Sequence, residues 1–343
     1  MTKKMVVFSL ACLLLLLPLS AGYAKPFYEG KTIRIIVPYT PGGTYDTLAR
    51  ITSRHMPKYI PGTPTMIVHN IPGGGALIGI GAAYHAKPNG LTMVHCPSST
   101  VLTQLLGLTG DIDLLKFNWL ASAAGEYYTA FIVSSLPYRT IEDLQKAPKP
   151  VKFAGFGRTT ISSLMMAMLK GLVGLNIEII RGYRGMSDAA LAVQGGEAEG
   201  TTAPTVSYFQ QATIKDMYKS GFIRVVLQVR ARTPTEKDIE VTKGLPEASD
   251  YVTDPKKKEL WDLGMKLLSM GRFFAATPGT PAECVEILGD AMWKTLNDPK
   301  FVAEASATGF EISPSDAKAV TGLMKSYLAM SEEVKAGFLD MLK

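Results

Sequence analysis

One structural unit occurs four times in this chain of 343 residues: a short apolar run, a glycine-rich turn and a helical stretch. The turns are residues 41–43 (Pro-Gly-Gly), 72–75 (Pro-Gly-Gly-Gly), 155–157 (Gly-Phe-Gly) and 182–185 (Gly-Tyr-Arg-Gly). Short β-rich runs that alternate with helices predict α/β layers around parallel strands. We therefore expect an α/β fold in which each turn joins the end of a strand to the start of a helix.

The unit starts again in the middle of the chain, which indicates two lobes of ordinary domain size. We expect residues 25–127 together with about 230–343 to form lobe one, and about 128–229 to form lobe two. Lobe two is then an insertion, and the chain crosses between the lobes more than once. Residues 230–254 are rich in Pro, Thr and charge, and we expect them to form a surface loop and connector.

The N-terminus has the pattern of an export signal. A pair of lysines precedes an apolar core at residues 5–17, and small residues at 21–24 suit a signal peptidase. We expect residues 1–24 to be a signal peptide cleaved near Ala24, and the mature protein to be periplasmic, since the apolar core is too short to span a bilayer as a helix. Cys12 leaves a lipoprotein open as the alternative, although the residues before it form a weak lipidation site.

The formal net charge is +6, and it falls to +4 (6 − 2) without the two lysines of the signal. This mild excess favours encounter with anions. No block of Lys and Arg is dense enough to follow a nucleic-acid backbone, so we expect no nucleic-acid partner. Beyond the signal no apolar stretch of about 18 residues recurs, and we expect a soluble mature protein.

No pair of histidines stands at metal-ligand spacing together with an acid or a cysteine, so we expect no metal site. The histidines are His55, His69, His85 and His95. Cys96 and Cys284 remain after processing, and both a disulfide and two free buried thiols stay open.

Each glycine-rich turn places backbone N–H groups at the start of a helix, where the peptide dipoles also favour negative charge. A carboxylate fits there, and glycine lets the backbone approach it closely. In open α/β sheets ligands bind at the carboxyl ends of the strands, so turns from two lobes would converge on one cleft. A tight bend explains any one turn equally well, but four in one chain favour a binding cleft.

Residues 37–46 (VPYTPGGTYD) and 70–76 (NIPGGGA) resemble the paired N-terminal signature of the tripartite tricarboxylate transporter receptor family, also called the Bug family. Supporting matches lie at residues 87–92, 183–185, 195–197 and 278–281. The resemblance implies a type II periplasmic-binding-protein fold, with two Rossmann-like lobes and a ligand cleft between them.

The resemblance also implies what such a protein does. It captures a small organic carboxylate, such as a di- or tricarboxylate, an acidic amino acid or an aromatic acid. It then delivers this ligand to the large and small membrane subunits of a tripartite tricarboxylate transporter. The resemblance implies a monomer that needs no cofactor and catalyses no reaction.

By the same resemblance, turns from both lobes bind the ligand. In lobe one the matching residues are Thr40, Gly42, Gly43, Thr44, Gly74, Gly75 and Ala76, with Ser98 and Ser99 bordering the cleft. In lobe two they are Gly157, Arg158, Thr159, Thr160, Gly185 and Met186.

Two charged residues have two interpretations each. Asp46 lies near a helix start, where it either stabilises its own helix or faces an ammonium or hydroxyl group of the ligand. Arg158 stands where the family usually has a small residue, and its guanidinium either pairs with a ligand carboxylate or lies in solvent. Ile71 replaces a common arginine of the family, so the identity of the ligand stays open.

Two other functions fit parts of the sequence. Residues 155–160, followed by Glu178, imitate a dinucleotide fingerprint whose last glycine is threonine, but export argues against a nicotinamide cofactor. The sequence contains no Gly-x-Ser-x-Gly elbow, so a hydrolase has no visible serine. A binding protein that reports to a sensor would use the same cleft, and the sequence does not separate it from a transport receptor.

Overall fold

A computed structural model of the chain describes residues 25–157, 160–232, 234 and 236–341. The expected signal peptide, residues 1–24, lies outside the described residues.

The described residues form eleven strands, numbered in chain order: β1 (Thr32–Val37), β2 (Thr65–Asn70), β3 (Thr92–Cys96), β4 (Asn118–Ala124), β5 (Tyr127–Val133), β6 (Val151–Ala154), β7 (Ile177–Ile180), β8 (Gly200–Pro204), β9 (Ile223–Arg230), β10 (Gly271–Ala276) and β11 (Ser315–Asp316). They also form fourteen α-helices: α1 (Thr44–His55), α2 (Leu77–Tyr84), α3 (Thr100–Leu105), α4 (Ile141–Gln145), α5 (Ile161–Met168), α6 (Met186–Gln194), α7 (Ser207–Gln210), α8 (Ala212–Lys219), α9 (Glu236–Thr242), α10 (Pro255–Ser269), α11 (Ala282–Leu296), α12 (Pro299–Ala307), α13 (Ala317–Leu328) and α14 (Glu332–Met341).

Two mixed sheets organise these strands. Sheet one has the order β11-β4-β10-β3-β1-β2, and sheet two has the order β7-β6-β8-β5-β9. In each sheet the two strands that lead into glycine-rich turns pair in parallel with each other, and one of them pairs in parallel with a third strand: β1 with β2 and β3, and β6 with β7 and β8. The other pairings are antiparallel, including β10 with β3 and β4 and β5 with β8 and β9. The expected α/β fold is therefore confirmed.

The chain passes between the two sheets at two places. Strand β4 ends at Ala124 in sheet one, and β5 begins at Tyr127 in sheet two. Strand β9 ends at Arg230, and β10 begins at Gly271 back in sheet one. The first passage is short and the second contains two helices, α9 and α10. How the chain divides into lobes stays a prediction.

The described residues between 230 and 254 do not form the expected surface loop. They contain α9 and a 3-10 turn at Ala248–Tyr251. The backbone N–H of Gln228 in β9 donates to the carbonyl of Pro246 at 3.0 Å, so the segment pairs along the edge of sheet two. The prolines and charged residues predicted a loop, but they lie between short helices. These helices are too short for their apolar residues to show a clear helical period.

A helix rich in methionine, α5, lies in the core. Met165, Met166 and Met168 are fully buried, where their flexible side chains fill irregular space. A Cβ built on Gly264 in α10 would lie 2.5 Å from the Cε of Met168, so glycine there allows α10 to pack closely on α5. The hydrophobic core therefore extends without a break from sheet two to α10.

No helix in the described part of the chain is both long enough and apolar enough to cross a membrane. Cys96 and Cys284 are both buried and free. Of the two alternatives for these cysteines, the structure shows free thiols.

Candidate functional site

Turns from both sheets meet at a small cavity of about 40 Å³, which we call the inner cavity. It is bordered by the turn after β1, the starts of α5 and α6, and the segment that follows β8. The lining residues are Tyr39, Thr40, Gly43, Thr44, Tyr45, Tyr128, Phe156, Thr160, Ile161, Ser162, Met186, Pro204 and Ser207. Aromatic and aliphatic side chains thus surround a few hydroxyl groups, and none of these lining residues is Lys or Arg.

Three helices of eight residues or more begin at the inner cavity, one from sheet one and two from sheet two. Gly43 precedes α1, Thr160 precedes α5 and Gly185 precedes α6. The Thr160 hydroxyl accepts a hydrogen bond from the backbone N–H of Ser163 at 3.3 Å, which fixes the start of α5. Because the N-terminal end of a helix carries partial positive charge, the cavity suits an anion although no cation lines it.

A larger pocket of about 410 Å³, which we call the outer pocket, adjoins the inner cavity. Both are lined by Tyr39, Phe156 and Thr160. One wall of the outer pocket is a run of four residues with positive φ: Gly73 (125°), Gly74 (58°), Gly75 (64°) and Ala76 (84°). Glycine adopts this left-handed conformation at little cost, which explains why three glycines stand in the turn.

The turns of the two sheets touch each other at two places, one through backbone atoms and one through the Thr40 side chain. A Cβ built on Gly157 would lie 2.3 Å from the Cα of Gly75, and one built on Gly185 would lie 2.8 Å from the Oγ1 of Thr40. A larger residue at Gly157 would collide with the backbone of the opposite turn, and one at Gly185 with the Thr40 side chain. These two approaches, which we call the front contact, bring sheet one and sheet two together at the cleft.

Nine of the residues expected to bind ligand line one of the two cavities. They are Thr40, Gly43, Thr44, Gly74, Gly75, Ala76, Gly157, Thr160 and Met186. Gly185 takes part in the front contact, and Gly42 is exposed beside the turn. Arg158 and Thr159 lie outside the described residues. Ligand contact stays a prediction for all of these positions.

Ser98 and Ser99 follow β3, where they were expected to border the cleft. Both are buried, and neither lines the inner cavity or the outer pocket. The carbonyl of Ser99 accepts a hydrogen bond from the Thr103 hydroxyl at 3.3 Å, within the start of α3. The turn after β3 is thus hydrogen-bonded to the start of the helix that follows it. A role of Ser98 and Ser99 in ligand binding stays a prediction.

Asp46 is engaged by its own loop and lines neither cavity. Its carboxylate accepts hydrogen bonds from the backbone N–H of Gly42 at 2.9 Å, the Nε of Arg50 at 2.9 Å and the Nδ2 of Asn70 at 3.0 Å. Burial opposes ionisation, but these donors outweigh it and hold the pKa of Asp46 below its usual value. Of the two interpretations, the structure favours the one in which Asp46 stabilises the turn and its helix.

Two polar side chains beside the inner cavity escaped the sequence analysis. The Oγ of Ser207 and the Nε2 of Gln211 are buried and have no hydrogen-bond partner within the described part of the chain. Ser207 lines the cavity, and the Gln211 Nε2 would lie 3.8 Å from a Cβ built on Gly43. Buried polar groups are nearly always paired, so both are available to a ligand oxygen. They follow a strand without a glycine turn, which left no signal in the sequence.

A buried charged cluster lies next to the inner cavity, and the sequence analysis missed it too. The Nη2 of Arg272 lies 3.5 Å from the Oε1 of Glu126, and both side chains are at most 2% exposed. The Tyr45 hydroxyl donates to the same Glu126 oxygen at 3.0 Å. Burial, followed by the charge of Glu126, raises the pKa of Tyr45 well above its usual value, so the phenol stays protonated.

His95 packs beside this cluster. One face of its ring stacks on Phe274 at 4.2 Å between centroids, and its Nδ1 lies 3.0 Å from the carbonyl oxygen of Tyr45. Burial, reinforced by the charge of Arg272, lowers the pKa of His95 to about 3, so the imidazole is neutral at physiological pH. No group of three or more His, Cys, Asp or Glu side chains positioned to hold a metal occurs among the residues that the structure describes.

Comparison with known proteins agrees with this geometry. A family model described as the tripartite tricarboxylate transporter family receptor matches residues 48–232, just over half of the chain. Among curated proteins, a UPF0065 protein of Bordetella pertussis (strain Tohama I) is 26% identical over 312 residues, which cover 88% of this chain and 87% of that protein.

Solved structures of similar fold are periplasmic binding proteins. The periplasmic binding protein BugD has a TM-score of 0.72 at 20% identity, covering 92% of this chain and 98% of its own. R. palustris Rpa4515, solved with adipate, has a TM-score of 0.70 at 18% identity, covering 90% and 97%. MatC (Rpa3494) from Rhodopseudomonas palustris, with bound malate, has a TM-score of 0.69 at 16% identity, covering 91% and 99%.

These likenesses confirm the expected two-lobed fold of the type II periplasmic binding proteins. The family model matches the part of the chain that carries the cleft turns from residue 48 onward and the whole of sheet two. The chain therefore belongs to the tripartite tricarboxylate transporter receptor family, whose members are solute-binding proteins and not enzymes.

Proposed function

We propose that this protein captures a small organic carboxylate between its two sheets and delivers it to the large and small membrane subunits of a tripartite tricarboxylate transporter. One observation carries the proposal: three helices, one from sheet one and two from sheet two, begin at the inner cavity. None of the residues described as lining this cavity is Lys or Arg. Helix N-termini bind anions through backbone N–H groups and dipoles. Two proteins of the same fold, solved with adipate and with malate, support the ligand class.

The cleft works as a clamp in this proposal. One carboxylate group of the ligand binds at the start of α1, on the side of sheet one. The other end of the ligand meets the starts of α5 and α6, on the side of sheet two. A ligand that touches both sides stabilises the form in which the front contact is made, because only that form offers both sets of contacts. Members of the family are periplasmic, and we propose that residues 1–24 direct this chain there as a cleaved signal peptide.

The first experiment measures the thermal unfolding of residues 25–343 against a library of mono-, di- and tricarboxylates. A carboxylate that binds raises the melting temperature in proportion to the logarithm of its concentration above the dissociation constant. A neutral sugar and a divalent metal salt serve as controls. Stabilisation by a control, with none by any carboxylate, would contradict the assigned ligand class.

A variant at Gly43 tests the position of the ligand. A Cβ there meets only the carbonyl oxygen of Thr40 at 3.5 Å and the Gln211 Nε2 at 3.8 Å, so Gly43→Leu is compatible with the fold while its side chain enters the inner cavity. We expect the variant to lose carboxylate binding and keep its melting temperature. Gly289→Leu is the matched control, because a Cβ at Gly289 meets nothing within 4 Å.

Delivery to the transporter needs its own test. Uptake of a labelled carboxylate into vesicles that contain the two membrane subunits should depend on this protein. Gly43→Leu should abolish that uptake, and Gly289→Leu should leave it unchanged. Uptake that proceeds equally well without the receptor would contradict the delivery step while leaving ligand capture intact.

A further inference from the structure

The two passages of the chain between the sheets lie against each other, and a buried ion pair joins them. The backbone N–H of Glu126, in the first passage, donates to the carbonyl of Leu268 in the second at 2.9 Å. A Cβ built on Gly125 would lie 2.7 Å from the carbonyl oxygen of Ser269, so the two backbones touch. The side chains of Glu126 and Arg272 meet at this point.

Arg272 is held in an unfavourable backbone conformation. Its φ is +61°, in the left-handed region that bulky residues rarely adopt, although it stands at the second position of strand β10. Such a conformation persists only where the surroundings fix it, and it is frequent at functional sites. Its guanidinium carbon lies 4.8 Å from the ring of Tyr45 and 4.8 Å from the ring of Phe310, so two aromatic rings hold it in place.

Both members of the ion pair reach the inner cavity through one hydroxyl group. The Nη1 of Arg272 donates to the Thr44 hydroxyl at 3.3 Å, and Thr44 is the first residue of α1 and lines the inner cavity. The Glu126 carboxylate accepts from the hydroxyl of Tyr45 and also interacts with Tyr128, and both tyrosines line the same cavity. The charges of Arg272 and Glu126 therefore lie directly behind the cavity wall and act on its contents in opposite directions.

Two other ionisable groups lie near the pair. His95 is neutral at physiological pH. A small cavity of about 10 Å³ is lined by Glu126, Arg272, Arg232 and Glu311, among others. There Arg232 is bound to Glu311 and to Asp238, each at 2.7 Å, so its charge is compensated by its own partners. Arg272 and Glu126 differ from these groups because each is hydrogen-bonded to a residue that lines the inner cavity.

We propose that Arg272 is a positioning and charge-supplying residue for the bound anion, and that Glu126 sets how much of this charge the ligand experiences. The inference rests on the proposed function, since it requires a carboxylate in the inner cavity. It adds a side-chain charge to a site whose lining offers only backbone and hydroxyl groups. The charge acts through the low-dielectric wall formed by Thr44 and Tyr45, where a Coulomb interaction is weakly screened.

Four variants separate this role from a merely structural one: Arg272→Gln, Glu126→Gln, the double variant and Arg272→Lys. Arg272→Gln leaves the carboxylate of Glu126 alone and should weaken carboxylate binding about tenfold, the effect of a unit charge at roughly 6 Å and an effective dielectric constant of about 40. Glu126→Gln leaves the guanidinium uncompensated and should strengthen binding by a similar factor. The double variant should return close to the unmodified protein, and Arg272→Lys should restore most of the affinity lost in Arg272→Gln.

The probes are adipate, malate and benzoate, each beside its uncharged amide, and the measurement is the dissociation constant by calorimetry at fixed ionic strength. Opposite shifts for the two single variants, seen with the acid and absent with the amide, support the inference. Shifts in one direction for both variants, or equal shifts for acid and amide, overturn it and leave the proposed function standing. If no acid of the larger carboxylate library binds the unmodified protein, the proposed function fails and this inference fails with it. Should Arg272→Gln not fold, Glu126→Gln decides: an affinity for the acid equal to that of the unmodified protein overturns the inference. Should Glu126→Gln not fold, Arg272→Gln decides in the same way.

Discussion

The two places where the sheets meet are built in opposite ways. At the front contact, Gly157 lies against Gly75 and Gly185 against Thr40, with no charged side chain among the four. At the hinge, the passages of the chain are joined by the buried pair of Glu126 and Arg272, with Tyr45 and Phe310 around them; we call these four residues the hinge cluster. One meeting place consists of glycine backbone and a single threonine side chain, and the other is ionic and aromatic.

This difference indicates which side of the molecule opens. Backbone atoms that only touch can separate without breaking an ion pair or unstacking a ring, and water can satisfy them once they part. The hinge cluster would leave a buried charge unpaired if it separated, which is costly. We therefore expect the cleft to open at the front contact while the hinge cluster stays assembled, as in hinge closure around a ligand.

The largest effect is expected at the hinge cluster. Arg272→Gln leaves Glu126 buried without its partner, and we expect a loss of about 3–5 kcal/mol in the free energy of unfolding. Urea denaturation of the ligand-free protein measures it. The double variant with Glu126→Gln has no unpaired charge and should lose less. Equal losses in the single and double variants would mean that packing of the arginine, and not its charge, is what matters.

At the front contact we expect an effect on binding without one on stability. Gly157→Val would collide with the backbone of Gly75 whenever the cleft closes, so ligand affinity should fall about a hundredfold, which corresponds to about 2.7 kcal/mol. The free energy of unfolding without ligand should change by less than about 0.5 kcal/mol, because the open form has room. Titration calorimetry and urea denaturation provide the two numbers, with Gly289→Val as control. A large loss of stability in Gly157→Val would show that the front contact is permanent.

The pH dependence of stability should report on His95, which packs beside the hinge cluster. Its pKa is about 3 in the folded protein and about 6.5 when unfolded. The unfolded chain therefore takes up a proton that the folded protein does not, and stability falls as the pH decreases from 7. Protonation of this residue in the unfolded chain should by itself lower the free energy of unfolding by about 2 kcal/mol between pH 7 and pH 5. Urea midpoints at both pH values check this, and His95→Gln should reduce the difference by that amount.

The smallest effect concerns the loop that carries one side of the front contact. Asp46→Asn removes the charge that holds Gly42 and Arg50. It should lower the free energy of unfolding by about 1 kcal/mol at neutral pH. The folded pKa of Asp46 is lowered, so its stabilisation is present above the ordinary carboxyl pKa of about 3.9 and is lost as the pH falls through the folded value. Asp188→Asn is the matched control, because its partner Arg184 has a 68% exposed side chain and such pairs contribute little. Equal losses for the two variants would contradict the role assigned to Asp46.

The glycine-rich turns made the front of the molecule predictable. A glycine run after an apolar run has few explanations, and strands β1, β2, β6 and β7 lie before the four turns, where the apolar runs predicted them. Strand β8 (Gly-Thr-Thr-Ala-Pro) was missed because its glycine, alanine and proline disfavour a strand and outnumber its two threonines, which favour one. Tertiary packing decides it: a Cβ built on Gly200 would lie 2.4 Å from the carbonyl oxygen of Phe131, so this glycine is required by close strand pairing.

The hinge cluster could not have been predicted. Glu126 and Arg272 are 146 positions apart (272 − 126), and neither stands in a motif. An isolated arginine at the start of a strand is ordinarily a solvent-exposed side chain, and its burial here follows from the approach of two passages that cross between the sheets. The same holds for Ser207 and Gln211, whose position beside Gly43 depends on how sheet two faces sheet one.

The sequence by itself determined the local chemistry of this protein: strand ends followed by glycine, helix starts that offer backbone N–H groups, and the family to which such turns belong. These follow from interactions between neighbouring residues, which the order of amino acids states directly. Only the tertiary structure decided which turns touch, that Asp46 serves its own loop, and that a buried ion pair lies beside the inner cavity. Those features depend on contacts between residues far apart in the chain, and their energies exist only once both sheets are assembled.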